Sequence, residues 1–373
     1  MSRAHYQPPH SLSTDPIHRL AWGHAGGVRC QFLPDEWTPC PLLAKIQVSP
    51  TSYLLRFQLP NPSQPLNLST CSCLLARANT RQIPNNSDIT DDVVVIRPYT
   101  PISTNQLVGC FDLLVKDYGP KSGMSHFLCQ KVPMVGSSSS TTAAAGDFTT
   151  VSFSHSPANV KIQASSFVGR YEHIVLLAGG TGITPMIQAL HALLGGKEDE
   201  EGDEEEILNN DFSNEMGEKK HQAVRSCESS SPGRRRHRTK VTLLYGSKTQ
   251  DDILARPLLD RWRKKFQQQL TVEYILSEEP MGSSWIGKRG HIDQDLLHEH
   301  GIRPRPLPSF HPLPHPTTAS DSKGDSADRN SVLVMVCGPP PFYESLCGPR
   351  DERDTISGVL GHLGFSANQV YKF

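Results

Sequence analysis

The stretch His173-Ile174-Val175-Leu176-Leu177-Ala178 leads directly into Gly179-Gly180-Thr181-Gly182-Ile183-Thr184-Pro185-Met186. Five apolar residues in a row, ending at a glycine, read as a fully buried strand. A helix is expected at once, over residues 186–194, with Thr184 as its N-cap and Pro185 in its first turn. Ile187, Leu190 and Leu194 give that helix an apolar stripe, and Gly195 is placed to end it. Strand, glycine turn and helix together aim free backbone N–H groups and the positive end of a helix dipole at one point, where a pyrophosphate would sit. A Cβ at the glycines would hold such a ligand off the backbone and exclude the φ that the turn needs. A glycine turn alone also serves as a plain connection, so its neighbours decide its meaning.

Two neighbours point to a dinucleotide. Residues 241–245 read as a second strand, followed by Asp251-Asp252 at the head of a helical pattern over 257–268. Asp252 lies 72 positions beyond Gly180; 43 of these fall in the insertion at 196–238, leaving 29, near the roughly 20 that separate such a turn from a ribose-binding acid. A carboxylate there repels a 2′-phosphate, so NADH is expected over NADPH, and nearby Lys248 reads as a solvated loop lysine. Strand-like residues 270–276 and 332–336 continue the alternation, which argues for a parallel sheet covered by helices. The last of these ends in Cys337-Gly338-Pro339-Pro340-Pro341. Ligands of open α/β sheets lie beyond the carboxyl ends of the strands. Cys337 is therefore expected beside the nicotinamide ring, its alternative being a buried structural thiol.

The preceding region is built differently. Residues 42–48, 53–59, 73–78, 93–96, 110–115 and 150–153 are short, rich in apolar or β-branched residues, and separated by Pro, Asn, Ser and Gly. This spacing suggests a small antiparallel barrel. The barrel carries Arg97-Pro98-Tyr99-Thr100-Pro101-Ile102-Ser103 after one strand, and Lys116-Asp117-Tyr118 with Gly123-Met124-Ser125-His126-Phe127-Leu128 after the next. An Arg and the backbone amides of residues 123–125 can hold a second pyrophosphate, a Tyr can lie on a flat ring, and hydroxyls can reach its polar edge.

A chain of 373 residues suits two domains. The divisions expected are an N-terminal extension 1–37, a barrel 38–168 and an α/β domain 169–373. Residues 136–146, 196–238 and 304–330 are too poor in apolar side chains to offset the entropy of ordering, and read as disordered insertions. Lys and Arg number 37 against 38 Asp and Glu, which leaves no net field to attract nucleic acid. The acidic run at 198–206 and the basic run at 234–238 lie in one loop and neutralise each other. Nine scattered cysteines are unlike a disulfide framework and favour a reducing compartment. Cys71-Ser72-Cys73 is too small a group for an iron–sulfur cluster, reads as strand cysteines, and leaves no metal site expected. No apolar run approaches the roughly 20 residues of a membrane helix. Residues 1–14 hold Arg3 and no acid, as in a transit peptide, but Pro8-Pro9 interrupts a continuous helix. An intracellular location, cytoplasmic or mitochondrial, is expected.

With these motifs in this order, the chain resembles the NADH-cytochrome b5 reductases and their ferredoxin-NADP reductase-like relatives, from about Glu36-Trp37 to Phe373 outside the insertions. The resemblance implies an antiparallel FAD-binding β-barrel followed by a Rossmann-like α/β NADH-binding domain. It also implies that Arg97 contacts the FAD pyrophosphate, Tyr99 packs on the isoalloxazine and Thr100 lies near its N5. Pro98, Ser103, Val115, Lys116, Tyr118, Gly123, Met124, Ser125 and Thr184 would complete the FAD site. NADH would lie against Gly179, Gly180, Thr181, Gly182, Pro185, Met186, Asp252, Cys337, Gly338 and Pro339, with Thr100 and Cys337 nearest the hydride path. The implied acceptor is a separate haem protein such as cytochrome b5. A diaphorase with another acceptor, and a non-catalytic dinucleotide-binding protein, are the alternatives. The chain departs from many members in Ser154-His155-Ser156-Pro157-Ala158-Asn159-Val160-Lys161-Ile162, where they carry a Gly-Pro-x-Gly turn, and in the insertion at 196–238.

Overall fold

Short strands broken by turn residues close on themselves, whereas long apolar strands need helices on both faces, and the chain does each in turn. The computed structural model describes residues 30–34, 36–81, 92–135, 151–155, 162–195, 239–304 and 332–373. The insertions expected at 136–146 and 196–238, nearly all of 304–330, residues 1–29 and the linker variant at 156–161 lie outside these.

The first part contains β1 (Thr38–Cys40), β2 (Leu42–Ser49), β3 (Ser52–Gln58), β4 (Leu74–Arg81), β5 (Asp92–Tyr99), β6 (Cys110–Lys116) and β7 (Val151–Ser154). All pairings are antiparallel, in a sheet ordered β2-β3-β6 and another ordered β1-β7-β4-β5. The two sheets share one aromatic core. Phe57 and Phe111 stack with centroids 5.6 Å apart, and Phe153 from the other sheet stands edge-on to each at 5.0 Å. Each of the six expected strands forms, most of them extended by a residue or more. Strand β1 was not expected, since Pro39 is its central residue and Pro41 follows it; it lies at a sheet edge, where proline is tolerated.

The second part is a six-stranded sheet of β8 (His173–Gly179), β9 (Lys240–Ser247), β10 (Leu270–Leu276), β11 (Lys288–Arg289), β12 (Val332–Cys337) and β13 (Val370–Lys372). Every pairing is parallel, in the order β11-β10-β9-β8-β12-β13. The chain leaves β8 towards one edge through β9 and β10 and returns on its other side as β12. The gap between β8 and β12 is thus the point where strand order reverses, and where a crevice opens beyond the carboxyl ends. Helices α1 (Ile183–Leu194) and α2 (Arg256–Lys265) cover one face. Helices α3 (Gln294–Glu299), α4 (Pro340–Leu346) and α5 (Gly358–His362) cover the other.

The two parts are fused by apolar packing. Leu54, Cys71, Ile102 and Leu114 of the antiparallel part belong to the same buried cluster as Met186, Ile187 and Leu190 of α1. Cys71 corrects the strand reading of the Cys-Ser-Cys group. It lies in the turn before β4, in the left-handed region at φ 57°, and its thiol donates to the Pro185 carbonyl at 3.4 Å. Among the described residues, no helix is long and apolar enough to cross a membrane.

Candidate functional site

Strands β8 and β12 end side by side, Ala178 being in register with Cys337. The turn at 179–182 and the turn at 337–339 therefore form the two lips of the crevice. A single 3₁₀ turn, Gly180–Gly182, passes into α1 at Ile183. The N-cap is thus Gly182, and Thr184 and Pro185 are the second and third helical residues rather than cap and first residue. The reason is that the glycine turn is itself helical and starts the winding early. The Thr184 hydroxyl turns back to donate to the Thr181 carbonyl at 3.2 Å. Pro185 still fits, because the N–H it lacks is among the four that a helix leaves unpaired at its start.

The glycines do different work. Gly180 has φ +53° and nothing within 4 Å of where a Cβ would stand, so it faces open space in a conformation that L side chains rarely adopt. A Cβ at Gly182 would stand 2.1 Å from the carbonyl oxygen of Cys337 and 2.8 Å from the nitrogen of Gly338. Gly182 is therefore needed for the two lips to touch, and only Gly180 presents backbone to a ligand. Tyr245, fully buried at the end of β9, donates its hydroxyl to the Gly180 carbonyl at 3.0 Å and accepts the Leu254 N–H at 3.2 Å. Sequence reasoning missed this tyrosine, which looks like any strand aromatic.

Cys337 ends β12 half-buried, and burial pushes its thiol up to about 11, so it is a neutral group at the crevice. Met186 is fully buried in the cluster beneath α1. Its side chain, expected to touch NADH, packs beneath the glycine turn instead of reaching the surface.

The second motif set stands across from these lips. Tyr99 ends β5 in register with Leu74, and burial raises its phenol well above the usual value. Arg97 and Pro98 are exposed, the Arg97 guanidinium donating to the neighbouring Ile96 carbonyl at 2.8 Å. Thr100 is half-buried where the chain leaves β5. The Ser103 hydroxyl accepts the Asp112 N–H at 3.0 Å, which assigns it to holding the loop. The side chains of Val115 and Met124 point into the aromatic core, so only their backbone is offered to a ligand. Gly123 has φ +67° and open space at its Cβ position, Ser125 shares a hydroxyl contact of 2.7 Å with Ser122, and Tyr118 is 60% exposed. Gly180 and Gly123 are thus each a positive-φ glycine, with open space at the Cβ position, at the start of a helical turn. That is the cradle a pyrophosphate needs, and two of them fit one flavin and one nicotinamide dinucleotide.

Two contacts join the motif sets. The Lys116 ammonium of β6 pairs with the Asp252 carboxylate. The Oδ2 atom of that carboxylate also accepts the Thr249 N–H at 3.3 Å and hydroxyl at 3.2 Å. Burial would raise the Asp252 carboxyl, but Lys116 and the Thr249 donors outweigh it and hold it below the usual range. Residues expected to bind different cofactors thus touch one another. Gln188 of α1 makes the second contact, from its amide to Pro101 and Cys71. Its signal in the sequence is a polar residue four positions after Thr184, on the same face of a helix that is apolar over its first turns.

Family models agree with this division. The FAD-binding domain of oxidoreductases matches residues 39–149, and the oxidoreductase NAD-binding domain matches residues 176–348. The NADH-cytochrome b5 reductase 2 of Meyerozyma guilliermondii is 29% identical over 343 residues, covering 91% of this chain and 85% of that protein. The Yarrowia lipolytica protein of the same name is 29% identical over 345 residues, covering 91% and 86%. Among solved structures, the cytochrome b5 reductase domain of Ulva prolifera nitrate reductase superimposes with a TM-score of 0.57 at 21% identity, over 92% of this chain and 100% of that one. The CS-b5R domains of human Ncb5or, in an NAD+ form, give 0.54 at 25% identity, over 90% and 68%.

Proposed function

We propose that this chain, which carries the FAD-binding and NAD-binding domains of oxidoreductases, is a member of the NADH-cytochrome b5 reductase family and moves electrons from NADH to a separate haem protein, cytochrome b5. The observation that carries this reading is the crevice at the β8/β12 reversal. Beside it, the turn at 179–182 and Cys337 pack against the cluster that holds Ile102, just after β5, which supports two dinucleotide sites that open towards each other.

When bound, FAD supplies the redox chemistry: it accepts a hydride and releases electrons one at a time. The protein supplies position. Gly180 and the start of α1 would hold the nicotinamide pyrophosphate, Gly123 with Arg97 would hold that of the flavin, and Tyr99 would lie against the flavin ring. Thr100 and the neutral Cys337 thiol would flank the path without charge. No general base is needed. The close packing of α1 on Ile102 and Leu114 keeps water from the boundary of the two parts. None of the eight described cysteines is in a disulfide, which supports a reducing compartment, cytoplasmic or mitochondrial.

Purified protein tests the reading directly. A yellow protein whose flavin absorbance is bleached by NADH, and which then reduces cytochrome b5 faster than cytochrome c, bears it out. A colourless protein that cannot be reconstituted with FAD would sink it. Bleaching by NADH with ferricyanide as the sole effective acceptor would leave a diaphorase.

A further inference from the structure

We infer that Gln188 is a positioning residue that fixes how far the nicotinamide lip stands from the flavin strand, an inference that rests on the function proposed above. Gln188 lies one turn beyond Thr184 on α1, only 9% exposed. Both ends of its amide are used, and both reach into the antiparallel part. Its Nε2 donates to the Pro101 carbonyl at 2.6 Å, and its Oε1 accepts the Cys71 N–H at 2.7 Å. One partner can only accept and the other can only donate, so the orientation of the amide is dictated by them.

The two partners are not neighbours in sequence. Pro101 follows Tyr99 and Thr100 at the exit of β5, and Cys71 precedes β4, whose first residue Leu74 pairs with Tyr99. Gln188 therefore grips both chains at the end of the strand pair that presents the flavin motif. The helix carrying it starts at Ile183, directly after the nicotinamide turn. A rigid helical segment of two turns thus connects the two cofactor cradles, and Gln188 is its fastening. The Cys71 thiol, donating to the Pro185 carbonyl one turn earlier, gives the same interface a second tie. Hydride transfer depends steeply on the separation of the reacting atoms, and a shift of about 1 Å from a remote change can cost roughly 100-fold in rate.

The test compares Q188M, which keeps the shape and loses both hydrogen bonds, with Q188E. A protonated Glu offers one O–H donor and one C=O acceptor in the places of the amide; an ionised one sets a negative oxygen against the Pro101 carbonyl. Among the described residues, the groups that titrate around this contact are the Cys71 and Cys337 thiols and the Tyr371 phenol, which faces Cys71. All three are kept protonated by burial and are silent from acid to neutral pH, and the neighbouring Arg350 and Arg353 keep a constant charge.

In Q188M the rate of flavin bleaching by NADH should fall about 10- to 100-fold. KM for NADH and the FAD content should stay near wild type, and the deuterium isotope effect on the transferred hydrogen should rise. Independently of activity, amide hydrogen exchange at Cys71 should become fast. In Q188E the bleaching rate should climb towards wild type as pH falls, and the Q188M rate should not follow. If Q188M does not fold, Q188E read across pH carries the test within one protein. Wild-type bleaching and isotope effect in Q188M, or a Q188E rate that ignores pH, overturns the inference. A wild-type protein that NADH does not bleach removes the functional reading instead, and Cys71 exchange still reports whether Gln188 holds the loop.

Discussion

The Tyr245 hydroxyl donates to the carbonyl of Gly180 at 3.0 Å, tying β9 to the glycine that has open space beside it. The same oxygen accepts the Leu254 N–H, so one buried group satisfies two backbone atoms. Tyr245→Phe leaves both unpaired, at about 1–3 kcal/mol for each buried polar group left without a partner. The expected result is a KM for NADH raised several-fold, with FAD retained, read from initial rates and from the flavin spectrum of the purified variant. Unchanged KM would mean that the turn holds its shape without the tyrosine.

Two glycines of one turn should fail in different ways. Gly182→Ala drives a Cβ into the backbone of Cys337 and Gly338, where nothing flexible can yield, and overpacking of this kind costs about 3 kcal/mol. Thermal melting should drop by roughly 6–12 °C. Gly180→Ala meets open space, so its stability cost is only about 1–2 kcal/mol for the left-handed backbone. Its effect should appear in nucleotide binding, where the new methyl occupies the approach to the pyrophosphate. Calorimetry of the apoprotein against NAD+ titration separates the two.

What could be read from the residues alone divides along physical lines. Strand β8 and its glycine turn were legible because a buried parallel strand is a long apolar run that ends abruptly. Strands β11 and β13, of two and three residues, are too short for any period and exist because β10 and β12 pair with them. Thr184 was misplaced as a cap because the rule looks for a hydroxyl, and here the glycine turn winds before it. Asp252 was found by counting, but its partner Lys116 lies 136 positions away, and only folding brings them together. Gln188 and Tyr245 escaped for the same reason: each acts through backbone atoms, which leave no mark on the sequence.

Arg56 and Asp112 form a bidentate pair across β3 and β6, both bonds 2.8 Å long, with the Asp112 side chain fully buried. Removing one partner strands the other without water, at about 3–5 kcal/mol. Arg56→Met should therefore lower the urea midpoint strongly, and Arg56→Met with Asp112→Leu should recover most of the loss. The Ser103 hydroxyl bond goes to the Asp112 backbone, so it survives both changes. A double variant no more stable than the single one would show that the pair holds the loop for reasons other than charge.

The Lys116–Asp252 pair makes nucleotide choice and acid stability one question. A carboxylate has about four lone-pair sites, and Lys116 with the two Thr249 donors fills three, leaving one for a ribose hydroxyl. Asp252→Ala should raise NADPH use relative to NADH; an unchanged ratio would remove Asp252 from the nucleotide site. The folded Asp252 carboxyl is held below its ordinary value of 3.8. Its contribution to stability is therefore fully present above that value and is lost as pH falls through the depressed one. A double-mutant cycle of Lys116→Met with Asp252→Asn should show a coupling of about 1–2 kcal/mol near neutral pH. Below the ordinary carboxyl value that coupling should shrink as the carboxylate takes up its proton. A coupling that persists in acid would place the joint between the two parts in packing alone, leaving the ion pair no share in it.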